Sequence, residues 1–216
     1  LKINLKMKRL NPIKIVGIDL AGSSSRPTGL CLVCGRKLKT AVVFSDEEIM
    51  EQVEKAHPQI VAIDAPLSLP PGRKNIEDRK GGHFRACDLA LRKKGIRFFP
   101  LTVGPMRMLT ERGIKLRKKL EKMGFRVIEI YPGGAQDIWN IPRARISKEG
   151  LLTGLRKLAR ARMGLIFPRG IKPPINLTAD ELDGITAAFV GLLYLRGQAE
   201  LYGRGDKVIV MPFPDF

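Results

Sequence analysis

Two aliphatic runs that each end in an aspartate constrain this chain more than anything else in it. VGIDLAG (residues 16–22) places Asp19 after Ile13, Ile15, Val16 and Ile18, and VAIDAPLS (residues 61–68) places Asp64 after Ile60, Val61, Ala62 and Ile63. Near-continuous apolar runs of this length read as strands covered on both faces, which points to a parallel pair inside an α/β sheet. Both carboxylates then stand where a buried strand ends. A carboxylate in such a place, with no cation or hydrogen-bond donor, neutralises by raising its pKa or destabilises the fold. Two of them on neighbouring strands suggest a metal site.

The surrounding pattern supplies the rest of an α/β order. Ile13–Leu20 reads as a first strand, and Gly29–Cys34 and Leu38–Phe44 as two more, joined by a Gly35-Arg36 turn into an antiparallel meander. Ser45, with Glu48 three residues on, forms a capping box for an acidic helix reaching Ala56. Gln59–Asp64 follows as a fourth strand, parallel to the first because a helix crosses over between them. Beyond a Pro, Gly and basic loop at Pro66–Ile76, helices are expected at Phe84–Lys94 and Arg107–Met123. A fifth strand at Arg126–Ile130 carries Glu129. A helix at Leu151–Met163, a proline-rich loop at Pro168–Pro174, a long helix from Ala179 to about Leu201 and a closing strand at Lys207–Val210 complete the chain.

The start of that last long helix is chemically dense. Thr178 caps it and Glu181 reaches back to the cap, which accounts for Glu181. Asp180 and Asp183 remain. Three residues apart on a helix, their Cβ atoms lie roughly 5–6 Å from one another on one face. The same stripe continues through Gly184, Ala187 and Gly191, small residues that let the helix lie close to a sheet. Asp19, Asp64, Asp180 and Asp183 would then meet from three separate segments.

Carboxylates aimed at one point suit hard divalent cations such as Mg²⁺ or Mn²⁺. A pair of such ions activates a water and stabilises the leaving oxygen in displacement at phosphorus. The net charge of +18, from 39 basic and 21 acidic residues, attracts polyanions, above all nucleic-acid phosphates. Only nine residues are Asn or Gln, which also fits a thermophile, although heat adaptation alone would raise Glu along with Lys.

The motifs GIDLAG, IDAPLSLP, RACD at Arg85–Asp88, EIYPGGA at Glu129–Ala135 and DELDGITAAF at Asp180–Phe189 together resemble the domain of unknown function 429 family, described as predicted nucleases of ribonuclease H-like fold. The resemblance spans about Ile15 to Leu201. It implies a mixed five-stranded sheet of order 3-2-1-4-5 flanked by helices. The whole chain, 1–216, would form one such domain, with basic loop and helical insertions at about 66–125 and 132–175. By the same resemblance Asp19 matches the first-strand metal ligand, Asp64 the fourth-strand acidic position, and Asp183 with Asp180 the last-helix ligand. Glu129 lies in the family's E-x-Y-P motif, as an extra ligand or as a structural carboxylate. The D-x-x-D of Asp180 and Asp183 is also similar to that of RuvC-type Holliday-junction resolvases, whose dimers make a homodimer an open expectation here. The helix-A glutamate of ribonuclease H proper has no single counterpart among Glu47, Glu48, Glu51 and Glu54.

Plainer readings stand beside these. A strand-ending Asp can simply cap a loop, and Asp180 suits a first helical turn through the helix dipole. Arg85 and Asp88 are spaced for a helical ion pair as well as for phosphate binding. The basic helices, with Lys118, Lys119, Arg156 and Arg160, read either as solvated faces or as nucleic-acid contacts. Cys31 and Cys34 sit three apart on a strand, facing opposite ways, and read as core or edge cysteines. His57 and His83 read as solvated. No apolar stretch reaches membrane-spanning length, and Leu1–Leu10 has no signal-peptide core, so a cytoplasmic protein is expected.

Three functions follow. The first is a metal-dependent nuclease. The second is an ATP-binding protein of the actin and sugar-kinase kind, suggested by Asp19-Leu-Ala-Gly22-Ser23, although that spacing is one residue too long and a duplicated second domain is missing. The third is a non-catalytic nucleic-acid-binding protein, whose binding would depend on salt but not on EDTA.

Overall fold

The two aspartate-ended runs pair as parallel neighbours. The computed structural model describes residues 12–97, 99–167, 176–205 and 207–214. The Leu1–Leu10 segment, the Pro168–Pro174 loop and Phe98 lie outside the described residues. β1 (Lys14–Asp19) runs parallel to β4 (Ile60–Asp64), with Asp19 directly opposite Asp64. On the other side of β1, β2 (Thr28–Cys34) and β3 (Lys37–Val43) form an antiparallel hairpin whose turn uses Gly35 at φ +58°. β5 (Val127–Ile130) lies parallel to β4. The core order β3-β2-β1-β4-β5 is the ribonuclease H-like order expected.

The sheet does not stop at five strands. β6 (Ala199–Arg204) and β7 (Lys207–Pro212) extend it past β5, to a seven-stranded order ending β5-β7-β6. The closing strand is therefore longer than Lys207–Val210, and the last helix shorter than expected. That helix, α6, covers Ala179–Leu195, and Gly197 at φ +68° turns the chain out of it before β6 begins.

Helices cover both faces. On one, α1 (Asp46–Ala56) and α3 (Pro105–Lys122) bury Ile49, Val53, Leu116 and Leu120 against Val16, Ile18, Val61 and Ile63. The capping box of α1 is formed: Glu48 N donates to Ser45 Oγ at 3.1 Å, and Ser45 N donates to the Glu48 carboxylate at 3.1 Å. On the other face, α6 and α5 (Lys148–Leu158) pack over Ile15, Ile60 and Ala62, with a π-helical turn at Ala159–Met163 following α5. α2 (Ala86–Lys93) adds Cys87 and Leu91 to this second core. A short helix absent from the sequence reading, α4 (Pro132–Ile138), starts directly after β5. Its Pro132 is preset for a first helical position, and the missing side chain of Gly134 lets the helix settle on Tyr131 and Met211.

Candidate functional site

Alternation along the strands decides which carboxylates can meet. Ile15 and Ile60, with Ala62, face α6, whereas Val16, Ile18, Val61 and Ile63 face α1 and α3. With a period of two, Asp19 and Asp64 also face α6, side by side on strands roughly 4.8 Å apart. The helix reaches them because its path over the sheet is lined with glycine. A Cβ at Gly17 would lie 2.8 Å from Ala188 Cα, and one at Gly29 2.6 Å from Glu181 N. The backbone of α6 therefore rests on β1 and β2, and its first turns carry Asp180 and Asp183 to the strand ends. The cap of α6 holds this start in place: Glu181 N donates to Thr178 Oγ1 at 3.1 Å, and Thr178 N to Glu181 Oε2 at 2.9 Å.

All four aspartates are half-buried. Burial is the main reason that Asp19 and Asp64 both titrate well above the ordinary carboxylate range. Asp64, Asp183 and Asp180 add their repulsion at Asp19, and Asp183 and Glu129 add theirs at Asp64. No cationic side chain among the described residues relieves either group. Asp183 is pushed up to about 6 by burial, against the opposing pull of a hydrogen bond from Gln136. Asp180 is raised by burial, with Arg26 opposing.

Gln136, which the sequence reading passed over, is the one described side chain that donates into the cluster. Its Nε2 lies 2.6 Å from Asp183 Oδ1 and 3.0 Å from Thr186 Oγ1. The only signal available for it was its place one turn into a helix that begins at a strand end. Arg112, on α3, fixes the chain beyond Asp19. Its guanidinium donates to Ala21 O at 2.8 Å, Phe44 O at 2.7 Å and Asp46 Oδ1 at 2.8 Å. The neighbouring Gly113 lets α3 press on the Pro66 carbonyl just past Asp64.

Glu129 is placed differently from the aspartates. It pairs in register with Ile63, so its side chain leaves the opposite face of the sheet from Asp64. Its carboxylate accepts from Leu67 N at 2.8 Å and from both terminal nitrogens of Arg85, at 2.7 and 2.5 Å. Arg85 also donates to Asp88 and to Ser68 Oγ, and it is 1% exposed. The helical ion pair is thus formed and buried, and the Arg85 guanidinium is committed to Asp88 and Glu129.

The remaining basic candidates lie outside the acidic cluster. Lys118 and Lys119 are exposed on α3, and Lys119 faces Asp46 and Glu47 at 3.6 and 3.8 Å. Arg156 and Arg160 line a second cavity with Arg36, beside the β2–β3 turn. The register of Cys34 against Lys14 puts that turn at the end of β1 remote from Asp19.

The donor set fits a hard divalent cation. Four carboxylates lie within one another's field, burial and mutual repulsion disfavour their charge, and the only cationic offsets among the described residues are Arg26 at Asp180 and Arg143 at Asp183, with none at Asp19 or Asp64. Among the described residues, no group of three or more His, Cys, Asp or Glu side chains stands close enough together to hold a metal ion as the side chains lie.

The chain matches the model of a family described as "Protein of unknown function (DUF429)" over residues 17–206. It is also similar to the solved structure of T. thermophilus RuvC in complex with a Holliday junction substrate. That chain is 13% identical, with a TM-score of 0.46, covering 93% of this chain and 100% of the other. The yeast mitochondrial Holliday junction resolvase is 12% identical at a TM-score of 0.42, covering 88% of this chain and 80% of its own. No curated protein matches the chain. No helix among the described residues is long and apolar enough to cross a membrane.

Proposed function

The chain belongs to the DUF429 family, and from that premise we propose that it is a divalent-metal-dependent nuclease that hydrolyses phosphodiester bonds in nucleic acid. The observation that carries this reading is the in-register pair Asp19 and Asp64, with Asp183 in the field of both. Asp19, Asp64 and Asp183, joined by Asp180, would hold Mg²⁺ or Mn²⁺. Bound there, the ions would supply an activated water and charge stabilisation at phosphorus.

The chain's own residues have separate tasks. The aspartates bring negative charge to one point, and the mutual repulsion that raises their pKa values is relieved when a cation is bound. Gln136 fixes the rotamer of Asp183 and favours its charged form. Arg112 and the strand glycines beneath α6, Gly17 and Gly29, set the separation of the three segments. The excess positive charge of the remaining surface holds the flanking phosphates, so binding weakens steeply with salt.

The test is incubation of the purified protein with single-stranded and branched DNA and RNA, in Mg²⁺, Mn²⁺ or EDTA, beside Asp19→Asn. Cleavage that requires the metal and drops by about 100-fold or more in the variant is expected. Equal rates for wild type and variant, or no cleavage of any substrate in Mn²⁺, overturn the reading.

A further inference from the structure

From Asp64, which lines its edge, the molecule opens into a cavity of about 650 Å³ that extends away from Asp19, Asp180 and Asp183. Its size falls within the roughly 300–1,000 Å³ of pockets that enclose one small organic molecule. It is a hollow with a floor, whereas a paired duplex presents a convex rail of phosphates. The buried Arg85–Asp88–Glu129 network forms part of that floor.

The walls combine two chemistries. Tyr131 and Phe99 supply aromatic faces, and Phe99 is 76% exposed although it lines the cavity. Ile146, also in the lining, is 71% exposed. Large apolar side chains left open to water at the mouth of a hollow imply something that covers them. Arg97 and Arg145 line the same cavity, are exposed, and have no ion-pair or hydrogen-bond partner for their side chains among the described residues. Arg143, by contrast, is committed to Asp137 and lies over the Tyr131 ring at 5.7 Å. Aromatic and aliphatic lining together with two guanidinium groups unpaired among the described residues matches a nucleobase with the phosphate attached to it.

We propose that this cavity accepts a single unstacked nucleotide of a nucleic-acid strand, its base between Phe99 and Ile146 and its phosphate at Arg97 and Arg145. The substrate class would then be single-stranded or locally distorted nucleic acid, with the extruded nucleotide next to Asp64. The proposal rests on the nuclease reading only for the position of the cut. Its binding component stands or falls separately.

The probe is a short DNA duplex carrying one extrahelical 2-aminopurine, compared with the same duplex in which the 2-aminopurine is paired. Both are titrated in EDTA, so that no cleavage occurs. Wild type is expected to bind the bulged duplex about tenfold more tightly than the paired one and to quench its fluorescence by stacking. Phe99→Ala, at an exposed position that does not support the core, should lose the quenching and the preference while still binding the paired duplex. Arg97→Ala with Arg145→Ala should weaken the bulged complex more than the paired one. Equal affinity for the two duplexes in wild type, binding of neither, or a preference that survives Phe99→Ala overturns the proposal. Metal-dependent cleavage without the preference leaves the nuclease reading standing and removes this one. The preference without cleavage does the reverse.

Discussion

Gly17 in β1 and Ala188 in α6 approach so closely that one methyl group on Gly17 would lie 2.8 Å from Ala188 Cα and closer still to Ala188 N and the Gly184 carbonyl. The contact is backbone on backbone, so no flexible side chain can yield to it. Two residues further along β1 stands Asp19, and α6 begins with Asp180 and Asp183. The separation of the aspartates is thus set by a contact that only glycine permits.

Gly17→Ala should therefore destabilise the protein by about 2 kcal/mol or more, the upper part of the range for overpacking, and lower metal-dependent cleavage by displacing Asp183. Gly22→Ala is the control. A Cβ there meets nothing nearer than 3.6 Å, and the change should stay within about 0.5 kcal/mol. Urea denaturation of both variants measures the difference, and equal midpoints would contradict the close-contact argument.

Removing the Arg85 side chain leaves the carboxylates of Asp88 and Glu129 buried without a cationic partner. Arg85→Met is expected to lose about 3–5 kcal/mol, as broken buried ion pairs do. Glu129→Gln keeps an acceptor for Arg85 and for Leu67 N, so its loss should be smaller. Because Glu129 leaves the opposite face from Asp64, Glu129→Gln should also retain Mn²⁺ binding by calorimetry, whereas Asp64→Asn should not. Loss of Mn²⁺ binding in Glu129→Gln would make that residue a ligand after all.

The parts legible in the sequence are those in which a local pattern carries long-range meaning. An apolar run ending in Asp identifies β1 and β4 and, through the crossover, their adjacency. The Thr178–Glu181 capping box locates the start of α6 and thereby the face bearing Asp180 and Asp183. The end of α6 was missed because Ala199 and Leu201 continue the apolar composition of the helix, and Gly197 was the sole stop signal. Of the two readings of Arg85, ion pair with Asp88 or phosphate contact, the sequence could not show the burial of the residue, because a charged residue in a basic segment gives no local sign of it. Its partner Glu129 is 44 residues away. Gln136 could not be assigned a role because its helix, rich in glycine, has weak helical propensity and forms only where Gly134 packs on Met211.

Gln136 tunes the titration of Asp183. Burial puts Asp183 at about 6, and the Gln136 hydrogen bond pulls it downward. Gln136→Leu removes that pull, so the pKa of Asp183 rises further and the charged form needed for cation binding appears only at higher pH. The acid limb of the kcat/KM profile should move to higher pH in Gln136→Leu, with a smaller change on the alkaline side. An unshifted limb would separate Gln136 from the titration of Asp183.

The same raised values dictate how the metal-free protein responds to pH. The folded-state pKa values of Asp19, Asp64 and Asp183 all lie above those of the unfolded chain, so the folded protein binds more protons and its stability falls as pH rises. The contribution is fully present below the unfolded value, near roughly 4, and is lost as pH climbs through the raised folded values, about 6 for Asp183. Asp19→Asn and Asp64→Asn remove part of this repulsion. In EDTA near neutral pH each should melt higher than wild type, by about 3 °C for every kcal/mol relieved, with a flatter dependence on pH. Added Mn²⁺ should reverse the order, because a cation that binds only the folded state raises the melting temperature by mass action and the Asn variants hold it poorly. Melting curves over pH 4–8 with and without Mn²⁺ check both halves. A wild type whose stability rises with pH in EDTA would contradict the raised folded-state values, which burial and then mutual repulsion produce.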